Sequence, residues 1–344
     1  MRSQLLQRGN LLDEKGFLMQ AGYATSLVRD YRRKDIKANP FRIKEWDYYL
    51  IYNEDFGIAL TLADNGYMGI AGASFLDFKN AAEKTTNIIT LFPMGRMKMP
   101  ESSAYGDVSY TNKRVEVSFQ NNGEERHLYL KMKHFYKDKD FFADVTLVEK
   151  PEFDSMVIAT PFPKKKKAFY YNQKIIGMQV SGCVIIGEKT YSFGKSSQGL
   201  LDWGRGVWTY DNVWYWGAGQ GQIEGKPFGF NLGYGFGDTK SATENMIFYE
   251  GKAHKFDDIK FIIPKDKFGK EDYLKPWKFT SSDQRFEMDF IPMLDRKSRT
   301  SAAFLLSDQH QVFGKFNGKA ILEDGTRLTV SDFLGFAEKV HNKW

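Results

Sequence analysis

The chain has 344 residues, of which 42% are apolar and 16% aromatic, and its formal net charge is +6. That apolar content supports a sizeable core, as one large β domain or two medium ones, and excludes a disordered chain. A single cysteine, Cys183, excludes an intrachain disulfide and a cysteine-based zinc site.

Strand signals begin at residues 47–52 and 58–63. The turn Asp64-Asn65-Gly66 then leads into a returning strand at 67–76. Residues 114–119 alternate strictly, turn at Asn121-Asn122-Gly123, and return through 127–132 and then 141–147. The run Lys164-Lys165-Lys166-Lys167 reads first as a solvated loop. A contact with nucleic acid or anionic lipid is the competing reading, but no nucleic-acid motif accompanies it. Further strands are expected at 179–186, 190–193, the glycine-rich 228–236, 244–249, 259–263, 285–290, 311–316, 319–323 and 327–330. Helical signals are few: one turn over 197–202, and a short C-terminal helix over 333–340 capped by Ser331-Asp332.

Many short antiparallel strands with few helices predict a mainly β protein of two consecutive barrel-like halves. The expected division is 1–170 and 171–344, with a junction near 165–178. The N-terminus lacks a signal-peptide layout, and no run approaches eighteen apolar residues. A soluble cytoplasmic protein is therefore expected, with no transmembrane segment. Transient membrane contact stays open, and oligomeric state is not legible.

The densest functional signal runs from Asp202 to Gly217. Trp203, Trp208, Trp214 and Trp216 fall within fourteen residues, beside Asp202, Arg205 and several glycines. Pairing a carboxylate with a guanidinium is a usual way to keep charge near apolar surroundings. Trp214 and Trp216 are two apart and share one strand face, lining either a pocket or the core.

The motifs Leu201-Asp202-Trp203-Gly204-Arg205-Gly206-Val207-Trp208, Phe230-Asn231-Leu232-Gly233-Tyr234-Gly235-Phe236, Thr243-Glu244-Asn245 and Gly251-Lys252-Ala253-His254-Lys255 carry a resemblance. So do Val312-Phe313-Gly314-Lys315-Phe316-Asn317-Gly318 and Gly335-Phe336-Ala337-Glu338 near the C-terminus. The chain resembles the bacterial family called domain of unknown function 2804 over essentially its whole length. That family is distantly similar to calycin-like proteins with two lipocalin-type barrels, among them carotenoid 1,2-hydratases and tocopherol cyclases. The resemblance implies a cavity for an apolar small molecule and, in some members, acid-catalysed addition or cyclisation. It carries over architecture and no catalytic residue.

Such chemistry needs a proton donor, an apolar pocket and stabilisation of a developing cation. A partly buried carboxylic acid can keep its proton near neutral pH, and aromatic faces attract cations. Asp202 and Glu244 are the candidate acids, and the four tryptophans are the candidate walls. Asn231 and Asn245 are placed to orient a polar group or a water. A cation at Arg205 would lower the pKa of Asp202, which makes Glu244 the better acid. The competing reading makes Asp202–Arg205 a corner salt bridge with Trp203 as a plug, as the lipocalin pattern resembles. For Glu244 and Asn245 it is hydrogen bonding at a turn or strand end.

The five histidines show no zinc-protease spacing, so no metal is assigned. No Gly-x-Ser-x-Gly elbow is present. Gly217-Ala218-Gly219-Gln220-Gly221 departs from the dinucleotide fingerprint, and no cofactor is expected. A hydratase- or cyclase-like enzyme, a non-catalytic lipid carrier or sensor, and a carbohydrate-binding or carbohydrate-cleaving protein remain the three readings.

Overall fold

The computed structural model describes residues 4–302 and 305–344. Residues 1–3, part of the N-terminal stretch read as lacking a leader, lie outside it. Two antiparallel sheets of thirteen and nine strands make up most of the fold, with two 3-10 turns at Arg33–Asp35 and Pro40–Arg42.

Alternation builds the first sheet. In Val115–Asn121 the residues Val115, Val117 and Phe119 point inward, and in Glu125–Tyr136 so do Leu128, Leu130 and Met132. The turn after Phe56–Asp64 is fixed by the Asp64 carboxylate, which accepts from the Gly66 N–H at 3.0 Å. Gly66 has φ +77°, and a Cβ there would lie 2.6 Å from the Pro40 carbonyl, so only glycine fits. The sheet curls until strands from its two ends meet. Thr86 donates to the Phe135 carbonyl at 2.7 Å and Thr90 to the Tyr110 hydroxyl at 2.5 Å, both across the opening.

The chain remains in this sheet far beyond residue 170. Phe169–Ile186 and Gln198–Val207 both belong to it, and Gln198–Val207 lies between Phe169–Ile186 and Ile43–Tyr52. The second sheet starts at Asp211, so the division 1–170 and 171–344 cuts through the first sheet. Three strands of 17 residues each, Phe286–Ala302, Leu305–Ile321 and Arg327–Lys343, curl the second sheet round a phenylalanine-rich core of its own.

Both expected helical segments are strands. Residues 333–340 lie in Arg327–Lys343, and 198–202 in Gln198–Val207. The cause is burial on both faces. Leu334 and Phe336 pack into the core shared by the two sheets, while Phe333 and Ala337 pack into the core of the second sheet. Leu200 and Leu201 are likewise both buried. A strand apolar on both faces loses its two-residue period and reads like a buried helix. Between the sheets a chain of ring contacts runs Tyr52–Phe78–Phe313–Phe336–Trp216–Tyr48, with centroids 4.7–6.4 Å apart. This seam sets the Asp202 region of one sheet against the Trp214–Trp216 region of the other.

Candidate active site

Asp202 and Arg205 are not partners. Residues three apart on a strand face opposite sides, and in Gln198–Val207 they lead to separate networks. Arg205 pairs with Asp47 at 2.9 Å and donates to the carbonyls of Trp46 (2.7 Å), Gly204 (2.9 Å) and Pro100 (2.8 Å). Its guanidinium sits 4.3 Å from the centre of the Trp203 ring. Every element of a structural corner is therefore present at Trp203 and Arg205, with Asp47 as the acid.

Asp202 points the other way, into the seam. Its carboxylate meets the Lys174 ammonium at 2.7 Å and accepts from the Asn172 amide at 2.6 Å. Lys174 lies opposite Asp202 on the neighbouring strand, and its ammonium is 3.9 Å from the centre of the Trp216 ring. The ion pair and the cation–π contact together let a lysine sit fully buried.

Glu244 lies just before the strand Met246–Tyr249 and is buried, and no donor meets either carboxyl oxygen in hydrogen-bond geometry, although the Asn231 amide is near enough to favour the charged form. Its surroundings are held by amides. Asn231 accepts from the Trp216 indole at 2.9 Å and donates to the Glu244 carbonyl at 2.9 Å. Asn245 accepts from the Gly233 N–H at 2.9 Å and donates to the Asp257 carbonyl at 2.8 Å. Burial pushes the Glu244 pKa up, helped by the Asp202 carboxylate. Lys174, the Asn231 amide and Lys255 pull it back, and the result is about 7. Lys255, also buried, donates to the Thr243 hydroxyl at 3.1 Å, and burial pushes its pKa down to about 7 against the pull of Glu244.

Glycine at 233 makes the room. A Cβ there would lie 2.1 Å from one Glu244 carboxyl oxygen. Gly233→Ala is expected to cost about 1–3 kcal/mol, as other overpacked core sites do, and to displace the carboxyl. Thermal melts should show the loss, and it should shrink when Glu244→Ala/Gly233→Ala is compared with Glu244→Ala, which removes the crowded carboxyl. An equal loss in both backgrounds would place the strain elsewhere.

Trp208 sits in an aromatic box. Its ring meets Trp214 at 5.3 Å, Tyr170 at 5.5 Å, Trp46 at 5.9 Å, and Phe236 and Trp344 at 6.2 Å. The Tyr170 hydroxyl and the Trp208 and Trp344 indole N–H groups are buried and unpartnered. Burial, together with the charges of Glu244, Asp202 and Glu338, holds the Tyr170 pKa well above its ordinary value. Trp214 reaches the Glu338 carboxylate at 3.3 Å, and Glu338 also accepts from Gln309 and Gln311 at 3.1 and 3.3 Å. Trp214 and Trp216 thus both line the seam, Trp214 half-buried and Trp216 buried.

Tyr170, Asn172, Lys174 and Trp344 escaped the sequence reading, and Lys255 and Glu338 entered it only within the motifs that carry the resemblance, with no role at a site. A signal was available for three of them, because Tyr170, Asn172 and Lys174 repeat every second residue. Open pockets among the described residues lie elsewhere. One of about 260 Å³ is lined by Ser103, Arg126, Glu149, Gln173 and Ile175, and one of about 310 Å³ by Phe75, Phe135, Tyr136, Ile186 and Tyr191. Among the described residues no group of three or more His, Cys, Asp or Glu side chains is arranged to hold a metal ion, and no helix is long and apolar enough to cross a membrane.

These observations define an all-β protein of two curled antiparallel half-barrels, with a buried acid, lysine and tyrosine cluster at their seam. The chain belongs to the family described as domain of unknown function 2804, whose model matches residues 2–344. No curated protein matches the sequence. Among solved structures, kievitone hydratase from Nectria haematococca is similar, with 12% identity, 88% of each chain covered and a TM-score of 0.48. An AttH candidate from Nitrosomonas europaea is similar at 13% identity, with 92% of this chain and 98% of that one covered and a TM-score of 0.45.

Proposed function

We propose that the protein takes a small, mainly apolar molecule at the seam and transfers a proton between it and Glu244, in a hydratase-, cyclase- or isomerase-type reaction without an organic cofactor. The observation that carries this reading is the Glu244 carboxyl itself. It is buried, no donor meets either oxygen in hydrogen-bond geometry, and burial pushes its pKa up to about 7. Orphaned buried carboxyls are costly and rare, and a pKa near the working pH suits a general acid and base.

In this reading Glu244 gives its proton to a carbon of a substrate double bond. The faces of Trp208, Trp214 and Tyr170 attract the resulting cation. Water or an internal nucleophile then bonds to the cation, or a neighbouring C–H gives up its proton. In each case one proton is released and returns to the Glu244 carboxylate. Burial, with a smaller contribution from the nearby Asp202 held by Lys174, keeps the pKa of Glu244 high. The half-buried rings of Trp214 and Trp344 are the side chains that must move to admit a substrate.

The carrier reading draws support from the open pocket of about 310 Å³, where the rings of Phe75, Phe135, Tyr136 and Tyr191 lie beside a charged rim of Asp77, Glu83, Lys84, Lys139 and Lys189. The carbohydrate reading needs two unpaired carboxyls facing across an open groove. Asp202 is paired and Glu244 enclosed, so we do not favour it.

The test is mass spectrometry of small molecules released on denaturing the purified protein, followed by incubation of any recurrent compound with folded protein in D2O. Deuterium should enter the compound, and Glu244→Gln should slow this about 10²–10⁴-fold while keeping the fold. Exchange at the wild-type rate in Glu244→Gln would reject the acid role. Stoichiometric release without exchange would favour the carrier.

A further inference from the structure

We infer that one end of the first sheet is a docking surface for an anionic lipid bilayer. Four segments meet there: the turns Arg33–Asp35 and Pro40–Arg42, residues 91–98, and the loop 162–168. Lys167 donates to the Lys37 carbonyl at 3.0 Å, and the Phe41 and Phe92 rings meet edge to face at 6.4 Å. Arg33 packs so closely on Gly95 that a Cβ there would lie 2.5 Å from its guanidinium. The Trp208 backbone N–H donates to the Arg42 carbonyl at 3.0 Å, and Phe162 contacts the Trp208 ring at 5.8 Å.

Two properties coincide on this face. The first is exposed apolar surface: Phe41 is 46%, Leu91 70% and Phe92 52% exposed. Phe92 is held outward with φ +50°, a conformation that bulky residues rarely adopt and that the rest of the structure must maintain. The second is charge. Lys34, Lys37, Arg96 and Lys164, Lys165, Lys166 and Lys167 form no salt bridge among the described residues. Of the carboxylates on this face, Asp35 pairs with Arg32 at 2.9 Å, Glu45 with Arg33 and Asp238 with Lys240 at 3.8 Å. Glu101 accepts from the Arg33 N–H at 3.0 Å, and Asp13 from the Lys15 and Phe17 N–H groups at 2.9 and 2.8 Å. Glu14, beside the Gly16 that packs on Lys37, is exposed, so the unpaired cations remain in excess.

A bilayer with anionic headgroups satisfies both properties together. The cations meet phosphate charge, and the two rings and Leu91 enter the boundary of the acyl region. Nucleic acid would meet the cations but leave the aliphatic Leu91 in water. The face also backs onto the Trp208 box, the side from which an apolar molecule would arrive. Docking itself is independent of any proton transfer at Glu244.

Co-sedimentation of the full chain with phosphatidylcholine vesicles, with and without phosphatidylglycerol, tests this. Binding is expected to the anionic vesicles and not to the neutral ones, and it should weaken in high salt. The triple variant Lys164→Gln/Lys165→Gln/Lys166→Gln should bind roughly fivefold more weakly per charge removed, on the order of 100-fold in all. Phe41→Ser/Phe92→Asn should also release the protein from anionic vesicles, with an unchanged melting temperature showing that it is folded. Absence of binding, equal binding to neutral vesicles, or tighter binding to a DNA duplex would each overturn the inference. A dimer dispersed by Phe41→Ser/Phe92→Asn would assign the face to a second copy of this chain instead.

Discussion

Arg205→Ala should lower the stability by about 3–5 kcal/mol, because it strands the buried Asp47 carboxylate without its cation. The loss should appear in denaturant titrations as a lower midpoint. Burial already holds the Asp47 pKa above its ordinary value, and Arg205 is the main force pulling it down. Without Arg205 that pKa rises further. The folded state then binds a proton that the unfolded state releases, so the variant's deficit grows with pH above the ordinary carboxyl range and shrinks below it. Adding Asp47→Asn should return part of the lost stability at neutral pH by removing the stranded charge. An unchanged melting temperature in Arg205→Ala would show that the corner contributes little.

Glu244→Gln should stabilise the protein at neutral and alkaline pH, the opposite of what removing a structural ion pair would do. The folded pKa of Glu244 is about 7 against an ordinary value of 4.5. Below 4.5 both states hold the proton and the group contributes nothing. Between 4.5 and 7 the folded state holds a proton that the unfolded state has lost, so stability falls as pH rises. Above 7 the cost is complete, on the order of 3 kcal/mol for a fully buried group.

Lys255 acts in the other direction. Its folded pKa of about 7 lies below the ordinary 10.5, so between those values the unfolded state binds more protons and stability rises with pH. Melting temperatures of wild type, Glu244→Gln and Lys255→Met from pH 4 to 10 separate the two. Glu244→Gln should remove the decline from 4.5 to 7, and Lys255→Met the rise above 7. Parallel profiles for wild type and Glu244→Gln would mean that the carboxyl is solvated or paired, and the acid role would fall with it.

How much of this was legible depended on how far each signal reaches along the chain. The turn at Asp64-Asn65-Gly66, the alternation in Val115–Asn121 and Glu125–Tyr136, and the mainly β class follow from residues within a few positions of one another. Local sequence therefore determines them. The same holds for the tryptophan cluster, because Trp214 and Trp216 must share a face wherever their strand lies. The segment over 333–340 failed as a helix because its neighbours on both sides are apolar cores, and a local pattern cannot report a second core.

Which charge meets which was decided by the tertiary structure alone. Asp202 and Arg205 are neighbours along the chain, and proximity suggested a pair. Strand geometry sends them to opposite faces, and pairing across the sheet supplies Lys174 to one and Asp47 to the other. Glu244 stands out only once Gly233, Asn231 and Asn245 have closed round it and left its oxygens with no donor in hydrogen-bond geometry. A carboxyl pKa depends on dehydration and on charges that arrive from distant parts of the chain. The residue types that can do acid–base work are thus written in the sequence, while the one poised to do it is chosen by burial.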